Sequence, residues 1–353
     1  MVLTYKFRVK GKSANRFLDR ACVSTNTVWN YCNATSFKAI RDNSKWLSEF
    51  DLCELTGGTG KELGLHSQTV QAICKEYAIR RKQFKKRKLK WRASRGGKRA
   101  LGWIPFKASG IKYDRSGFVI YNKRKLRFWN HRELPESAKI KTGSFSQDAE
   151  GNWHVSLTCE VAVESHTHTV DDVGIDLGLK DTAVLSTGEV VYNSRSFSGL
   201  ELSLARAQRA GHKRQARKIH AKIKSRRRDA LHKATAKIAK TFKTIYVGDV
   251  SGKFLQVTNG KSATDASTGI FRNLLKYKAI RHSGEMIDVS ERIAASTVTC
   301  SNCFERSGPS GLSDLGVREW KCAACGADHI RDVNAAINHL RLGRETLKPL
   351  LAA

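Results

Sequence analysis

The sequence predicts an α/β domain joined to a small antiparallel β-barrel. Residues 99–165 contain short runs of alternating polarity, separated by turn sequences such as "DRSG" and "QDAEGN", which are typical of antiparallel strands. Between residues 169 and 299, strand patterns alternate with helical ones, which favours an α/β sheet. A length of 353 residues allows two or three such domains.

The charge balance predicts a nucleic-acid partner. The chain has 64 Lys and Arg against 32 Asp and Glu, a formal net charge of +32. Such an excess repels itself unless a polyanion compensates for it. A membrane surface also attracts cations, but no apolar run approaches the roughly 20 residues that span a bilayer. The first residues, "MVLTYKFRVKGK", alternate like a strand and unlike a signal peptide, so we expect a cytoplasmic, nucleoid-associated bacterial protein without a membrane partner.

The N-terminal part predicts a barrel with a helical insertion. A first strand, within residues 1–12, should join the strands of residues 96–168, and helical spacing dominates residues 13–95. The insertion ends in "RRKQFKKRKLKWRASRGGKR", whose density of cations and interleaved aromatics favours contact with nucleic acid over a merely solvated face. The candidate contacts are Lys86, Arg87, Lys90 and Trp91.

A second basic segment is predicted to be one long helix over about 198–243. Its apolar residues form only a narrow stripe, and it contains few acids, so it suits a phosphate backbone. A helix packed on a sheet with a hydrated basic outer face fits the same pattern, and both descriptions can hold. The candidate contacts are Arg214, Arg217, Lys218, Lys222, Arg226, Arg227 and Arg228.

Four of the nine cysteines predict a structural zinc site. Cys300 and Cys303 form one Cys-x2-Cys pair, Cys322 and Cys325 form another, and eighteen residues separate the pairs. Four thiolates complete a tetrahedron and leave no open position for catalysis. The other five cysteines are scattered through apolar surroundings and are expected to be core residues.

Acids at strand and helix ends suggest a second metal site, which would be catalytic. Asp176 lies in the apolar run "VGIDLGL", and Asp332 begins a helix in "DHIRDVNAAINHL". Each also has a simple structural interpretation, as a turn or helix-capping residue. Two-metal hydrolysis of phosphodiesters needs acids from distant segments. Asp249 in "VGDVSG" and Glu291 in "DVSERI" are the candidates for a third acid.

The order of these elements fits a sheet of the RNase H type, although periodicity alone does not select that fold. The motifs are more specific. "GIDLGLKDTAVLSTGEVV", the basic helix ending "RRRDALHK", "YVGDVS", the cysteine pairs and "HIRDVNAAIN" follow one another as in the TnpB family of insertion-sequence proteins, related to type V CRISPR effectors. The chain resembles that family well over about residues 98–340 and loosely before them.

The resemblance implies an RNA-guided DNA endonuclease of a transposon, with guide RNA and double-stranded target DNA as partners and Mg²⁺ and Zn²⁺ as cofactors. It implies an RNase H-like (RuvC) nuclease domain with an inserted zinc finger, and a wedge-like barrel with an inserted recognition domain. Asp176 and Asp332 match the first and last catalytic, magnesium-binding aspartates, and the four cysteines match the zinc ligands. The expected domains are the wedge-like barrel at 1–12 and 96–168, the helical recognition domain at 13–95, the nuclease domain at 169–299 and 327–353, and the zinc finger at 300–326.

One motif departs from the family. Many members have Glu-Asp after the middle strand, with a catalytic Glu, whereas this chain has Gly248 and Asp249. We favour Glu291 over Asp249 as the third acid, because a neighbouring strand can present its side chain to the same face. Alternative functions are an RNA-guided DNA-binding repressor with a weakened or inactive site, and a DNA-strand-joining transposase. A non-enzymatic RNA-binding module would explain the charge but not the acids.

Overall fold

The computed structural model forms two compact units, Met1–Ala162 and Val163–Ala353. The described residues are 1–163, 165–249, 267–290, 295–310 and 313–351.

The first unit combines four helices with seven strands. The helices are α1 (Lys12–Asn43), α2 (Glu49–Leu55), α3 (Thr59–Glu62) and α4 (Ser67–Phe84). The strands are β1 (Val2–Arg8), β2 (Trp103–Lys107), β3 (Ile111–Asp114), β4 (Phe118–Tyr121), β5 (Arg124–Arg127), β6 (Lys139–Gln147) and β7 (Trp153–Glu160).

The strands of this unit form two sheets instead of the expected closed barrel. One antiparallel sheet has the order β1-β7-β6-β2, and the other has the order β3-β4-β5. Outside the named strands, a single bridge joins Val9 to Phe128. The expectation that β1 pairs with the later strands is correct, but the described strands of residues 1–162 do not close a barrel. The core is aromatic, with Phe106, Phe145 and Trp153 fully buried.

The basic run after α4, residues 85–99, is an irregular segment outside any helix or strand, which we call the strap. Helix α4 ends at Phe84, and Lys85 adopts a left-handed conformation with φ of 49°. The strap is fastened to α1 by three asparagines, Asn26, Asn30 and Asn33, whose spacing puts them on one helix face. The prediction that residues 13–95 are helical is therefore wrong for this last part.

The attachment of the strap to α1 is specific, because two of the asparagines each form two hydrogen bonds with one strap residue. Asn33 donates to the Leu89 carbonyl oxygen at 2.9 Å and accepts from its amide at 2.9 Å. Asn30 does the same with Arg92, at 3.0 and 2.9 Å. These side-chain amides satisfy backbone groups that have no strand or helix partner. The strap is thereby fixed against α1 without forming a helix or strand.

The second unit is built on a mixed sheet. Its strands are β8 (Val170–Asp176), β9 (Asp181–Leu185), β10 (Val190–Tyr192), β11 (Phe242–Gly248) and β12 (Glu285–Val289), with a separate hairpin of β13 (Glu319–Lys321) and β14 (Asp328–Ile330). Its helices are α5 (Glu201–Arg209), α6 (Lys213–Thr241), α7 (Thr268–Arg281) and α8 (Arg331–Leu351).

The mixed sheet has the order β10-β9-β8-β11-β12. Strands β9 and β10 are antiparallel to their neighbours, whereas β11 is parallel to both β8 and β12. The strand side chains of one face, including Val173 and Ile245, form a core with α6 and α7. Helix α8 covers the opposite face. A Cβ on Gly174 would collide with the Ala336 carbonyl oxygen and would lie 2.7 Å from the Leu340 amide nitrogen. Only glycine allows this approach of α8 to β8.

The long basic helix predicted over 198–243 is two helices. Helix α5 ends at Arg209 and α6 begins at Lys213. Gly211 between them has φ of 67°, in the left-handed region that ends a helix. Of the predicted apolar stripe of α6, Ile223 and Leu231 are buried and Ile219 is half-buried, and Ile238 further along the helix is also buried.

Among the described residues, no helix combines the length and apolar character needed to cross a bilayer.

Candidate functional site

The four predicted zinc ligands come together. The Sγ atoms of Cys300, Cys303, Cys322 and Cys325 all lie within 4.8 Å of one another. The Cys300–Cys325 distance is 3.7 Å and the Cys303–Cys322 distance is 3.6 Å. Zn–S bonds of about 2.3 Å in a tetrahedron put neighbouring sulfurs about 3.8 Å apart. The cluster therefore has the shape of a four-thiolate site that could hold an ion such as zinc.

Polar groups around the cluster favour the thiolate form. The Ser307 hydroxyl lies 3.0 Å from the Cys322 Sγ and lowers the pKa of this thiol to about 6. The backbone amide of Ala327, followed by the Asn302 side chain, lowers the pKa of Cys325. His329 Nε2 lies 3.0 Å from the Cys300 Sγ. Thiolates are the ligand form of cysteine, so the contacts at Cys322 and Cys325 favour metal binding. At Cys303, by contrast, against the opposing Glu305 backbone contact, burial and the neighbouring thiols raise the pKa to about 12.

Helix α8 holds the loop that leads into the cluster. Asn334 is 1% exposed, donates to the carbonyl oxygens of Ser296 and Thr299 at 3.1 and 2.8 Å, and accepts from the Ser301 amide at 2.8 Å. Asn338, one turn later, donates to the same two carbonyls at 2.9 and 2.7 Å. Both asparagines lie in the motif "RDVNAAIN", but their role was not predicted from the sequence. They tie the cysteine cluster to the helix that Asp332 begins.

We expect purified protein to contain about one zinc ion per chain, and Cys300→Ser to remove it. The substitution deletes a thiolate ligand, and binding of a structural metal contributes directly to folding free energy. Zinc content by mass spectrometry and the Tm with and without a chelator measure this. Cys53→Ser is the matched control, because Cys53 is half-buried in the other unit. Purified protein without zinc, or a zinc-loaded Cys300→Ser variant, would contradict the prediction.

Asp332 lies in the first turn of α8, where the helix dipole favours a negative charge. Its side chain is about one-quarter exposed, at 26%, and lies 3.3 Å from a guanidinium nitrogen of Arg318. Arg331, beside it in sequence, is buried and donates to the Asp314 carbonyl oxygen at 2.6 Å. The carboxylate of Asp332 is therefore accessible and fixed at the helix start.

Helix α8 runs antiparallel to β8, which brings their ends together. Asp172, early in β8, forms an ion pair of 2.5 Å with Arg344, late in α8. Gly174, two residues further on, contacts Ala336, which lies two turns closer to the helix start. Asp176, two residues further again, ends the strand. The register thus carries the carboxyl end of β8 toward the first turn of α8, where Asp332 lies.

The alternation of side chains along β8 indicates the face of the sheet on which Asp176 lies. Side chains at i and i+2 of a strand project to one face, so Asp176 lies on the α8 face with Gly174. Buried His339 of α8 supports this end of the strand, with its Nδ1 3.1 Å from the Ile175 carbonyl oxygen. The ladder pairs Ile175 with Val247, so Gly248 of β11 is level with Asp176.

By the same alternation, the side chain of Asp249 belongs to the other face of the sheet. It follows Gly248, is exposed, and continues the ladder through its amide, which donates to the Val289 carbonyl oxygen at 2.9 Å. One residue past Gly248, alternation turns its side chain to the face covered by α6 and α7. Glu291, the favoured third acid, lies outside the described residues.

The predicted nucleic-acid contacts are mostly exposed. Of the α6 candidates, Arg214, Arg217, Lys218, Lys222, Arg226 and Arg228 are exposed and Arg227 is half-buried. Lys86, Arg87, Lys90 and Trp91 are all exposed on the strap.

The fold and the cluster define an α/β protein with a four-cysteine module suited to a metal ion. Two family models match the chain. The OrfB_IS605 model, described as "Probable transposase", matches residues 156–255, and the model of the Cas12f1-like TNB domain matches residues 269–339. The second match includes the four cysteines and Asp332.

Relatives are similar over more of the chain. A "Putative RNA-guided DNA endonuclease" of Streptomyces pristinaespiralis is 37% identical over 227 residues, 60% of this chain and 55% of that protein. The "Putative RNA-guided DNA endonuclease InsQ" of Escherichia coli (strain K12) is 26% identical over 270 residues, 67% of this chain and 65% of that protein. The matched part therefore spans less than two thirds of either relative.

A solved structure has a similar fold. A chain of the Cas12f1-sgRNA-target DNA complex, determined by cryo-EM, aligns with a TM-score of 0.59 at 12% identity, over 93% of this chain and 82% of that one. The matches together confirm the resemblance found in the sequence. Two parts of the chain are thus similar to the OrfB_IS605 transposase family and to the Cas12f1-like TNB domain.

Proposed function

We propose that this chain is a magnesium-dependent, RNA-guided DNA endonuclease of a transposon. The observation that carries the proposal is the antiparallel register of α8 on β8. It directs Asp176 at a strand end and Asp332 at a helix start toward the same edge of the sheet. Buried packing alone does not need two acids there, whereas phosphodiester hydrolysis does. The names of the relatives agree with this activity.

The nuclease domain is proposed to be of the RuvC-like RNase H type. The sheet order β10-β9-β8-β11-β12, with parallel pairing only of β11 to β8 and β12, supports that topology. The central strand β8 ends at Asp176, where a parallel neighbour also ends. Ligands of α/β sheets bind at the carboxyl ends of such strands.

Asp176 and Asp332 would hold Mg²⁺ together with a third acid, for which Glu291 is our candidate and Asp249 the alternative. Carboxylate oxygens are the ligands that Mg²⁺ prefers. When bound, a metal pair activates water and stabilises the leaving oxygen of a phosphodiester. Arg318, 3.3 Å from Asp332, would partly neutralise the carboxylate before a cation arrives. His339 would keep the end of β8 in position through the Ile175 carbonyl.

Guide RNA and double-stranded target DNA are the proposed partners. The net charge of +32, the exposed cations of α6 and the strap support a polyanionic partner. In RNA-guided recognition, base pairing reads the target sequence and the protein contacts backbone and a short flanking motif.

The test is to sequence the RNA that co-purifies with the protein and then to reprogram its guide segment. We expect Mg²⁺-dependent cleavage of a plasmid only where its sequence matches the guide. Plasmid without the match is the control. Cleavage that ignores the guide, or joining of transposon ends without any RNA, would reject the proposal in favour of a different nuclease or a strand-joining transposase.

The second candidate is an RNA-guided DNA-binding repressor. The observation that favours it is Gly248, which is level with Asp176 on β11 and offers no carboxylate. Guided plasmid binding without cleavage at any Mg²⁺ concentration would select this function.

A further inference from the structure

A cavity of about 850 Å³ lies in the first unit, between the strap, the end of α4 and β2. Two indoles line it from below. Trp29 of α1 and Trp103 of β2 meet edge to face, with ring centroids 5.9 Å apart. The Arg92 guanidinium lies 5.9 Å from the Trp29 ring and 5.4 Å from the Trp103 ring. The floor of the cavity is therefore aromatic and cationic.

The floor is held in place before any ligand arrives. Arg92 donates from Nε to Asn26 at 2.8 Å and from Nη2 to the Leu101 carbonyl oxygen at 2.9 Å. Its backbone is bound twice by Asn30. Gly102 permits the tight packing beside it, because a Cβ there would collide with the Trp153 ring. A ligand would thus meet a preformed surface.

The floor also contains a buried donor that requires an acceptor. Trp29 is 8% exposed and lines the cavity, and its Nε1 has no hydrogen-bond partner within the described part of the chain. A buried indole N–H normally has an acceptor. The Nε1 atom is itself enclosed by its neighbours and is not exposed to the cavity.

The rim is basic and carries a further aromatic platform. Trp91 is 55% exposed and Phe84 is 56% exposed. The single lining acid, Glu76, is neutralised by Arg80 at 2.6 Å. The lining cations are Arg80, Lys86, Lys90, Arg92, Lys98 and Arg99.

The geometry points to this cavity as a binding site for an unpaired nucleotide of a single strand, with its base on Trp91 and the indole floor and its phosphates on the rim cations. The inference deepens the proposed function and rests on its nucleic-acid partner. A base supplies a flat π-face for the exposed ring of Trp91. A base pair within a duplex would keep its faces stacked and could not enter.

The test measures Kd of the full chain, in EDTA, for labelled single strands of about 12 nucleotides, as RNA and as DNA, and for the matching duplex. Trp91→Ala should weaken single-strand binding about tenfold and duplex binding less than about twofold. Trp129→Ala is the matched control, because Trp129 is 56% exposed in the same unit and does not line the cavity. If Trp91→Ala weakens binding of the RNA strand alone, the cavity binds a guide nucleotide. If it weakens binding of the DNA strand alone, the cavity binds a nucleotide of an unpaired DNA strand.

A further variant separates stacking from charge. Lys90→Ala should reduce the slope of log Kd against log salt by about one, whereas Trp91→Ala should leave the slope unchanged.

The inference is wrong if Trp91→Ala and Trp129→Ala have equal effects, if single strand and duplex lose equally, or if a polyglutamate peptide binds with the same dependence on Trp91. Guided cleavage is measured separately. If the protein cleaves guided plasmid but Trp91→Ala leaves single-strand binding unchanged, only this inference is wrong. If Trp91→Ala weakens single-strand binding but the protein shows no guided cleavage, only the nuclease proposal is wrong.

Discussion

Replacing Asp176 by asparagine is expected to lower guided plasmid cleavage by more than about 100-fold while leaving guided DNA binding unchanged. Loss of a group that only supports a metal ligand typically costs about 10–100-fold, so loss of a ligand itself should exceed that range. Asparagine keeps the size of the side chain and its hydrogen bonds to neighbours, but removes the charge that a divalent cation needs. Single-turnover cleavage and a gel-shift assay measure the two quantities.

Asp171→Asn is the matched control for Asp176→Asn. It makes the same chemical change on the same strand at an exposed residue, and cleavage should stay within about twofold of the parent. Asp332→Asn should reproduce the loss, and the double variant should be little worse than either single one, since residues that act as a unit are not additive. Full cleavage by Asp176→Asn would show that β8 does not supply a metal ligand.

The sequence predicted best those parts of the fold that depend on interactions between residues close together in the chain. The apolar runs of β8 and β11 are strands because alternation and β-branched residues act locally. The cysteine pairs were recognisable because a Cys-x2-Cys turn is itself a local metal-binding geometry. The sheet order, by contrast, needs pairing between residues such as Phe242 and Val170, which periodicity does not encode.

The errors have equally specific causes. Whether strands close a barrel depends on one long-range pairing, and here Val9 and Phe128 form only an isolated bridge. The helical periodicity of the sequence continues through Gly211, but the positive φ of this residue ends the helix there. The basic strap has helix-forming residues, yet Asn30 and Asn33 form hydrogen bonds with its backbone and hold it out of a helix.

The candidate site was predictable only in part. Asp176 and Asp332 stood out because they are acids beside apolar runs, whereas their spatial relation required the packing of α8 on β8. Gly174 decides that packing by lacking a side chain, and a residue that acts by absence gives little sequence signal. Asn334 and Asn338 act through backbone carbonyls about forty residues away in the chain, which motif spacing does not reveal.

The third acid should be Glu291, so Glu291→Gln should lose cleavage to about the same extent as Asp176→Asn, and Asp249→Asn should retain it within about threefold. The ladder makes Asp176, Gly248 and Val289 level, and alternation places them on the α8 face. Asp249 falls one residue later, on the face of α6 and α7. Glu291 follows Val289 by two residues in the sequence and lies outside the described residues, so its assignment stays an expectation from the sequence.

Both variants are compared with the parent under single-turnover conditions at several Mg²⁺ concentrations, with guided DNA binding as the control for folding. A variant that keeps all its metal ligands should cleave with the same Mg²⁺ dependence as the parent. A variant that has lost a ligand should need more Mg²⁺ for cleavage or should not cleave at all. Loss of cleavage by Asp249→Asn with full cleavage by Glu291→Gln would reverse the assignment. That result would require β11 to turn after Gly248, so that Asp249 projects back toward the α8 face despite its amide bond to Val289.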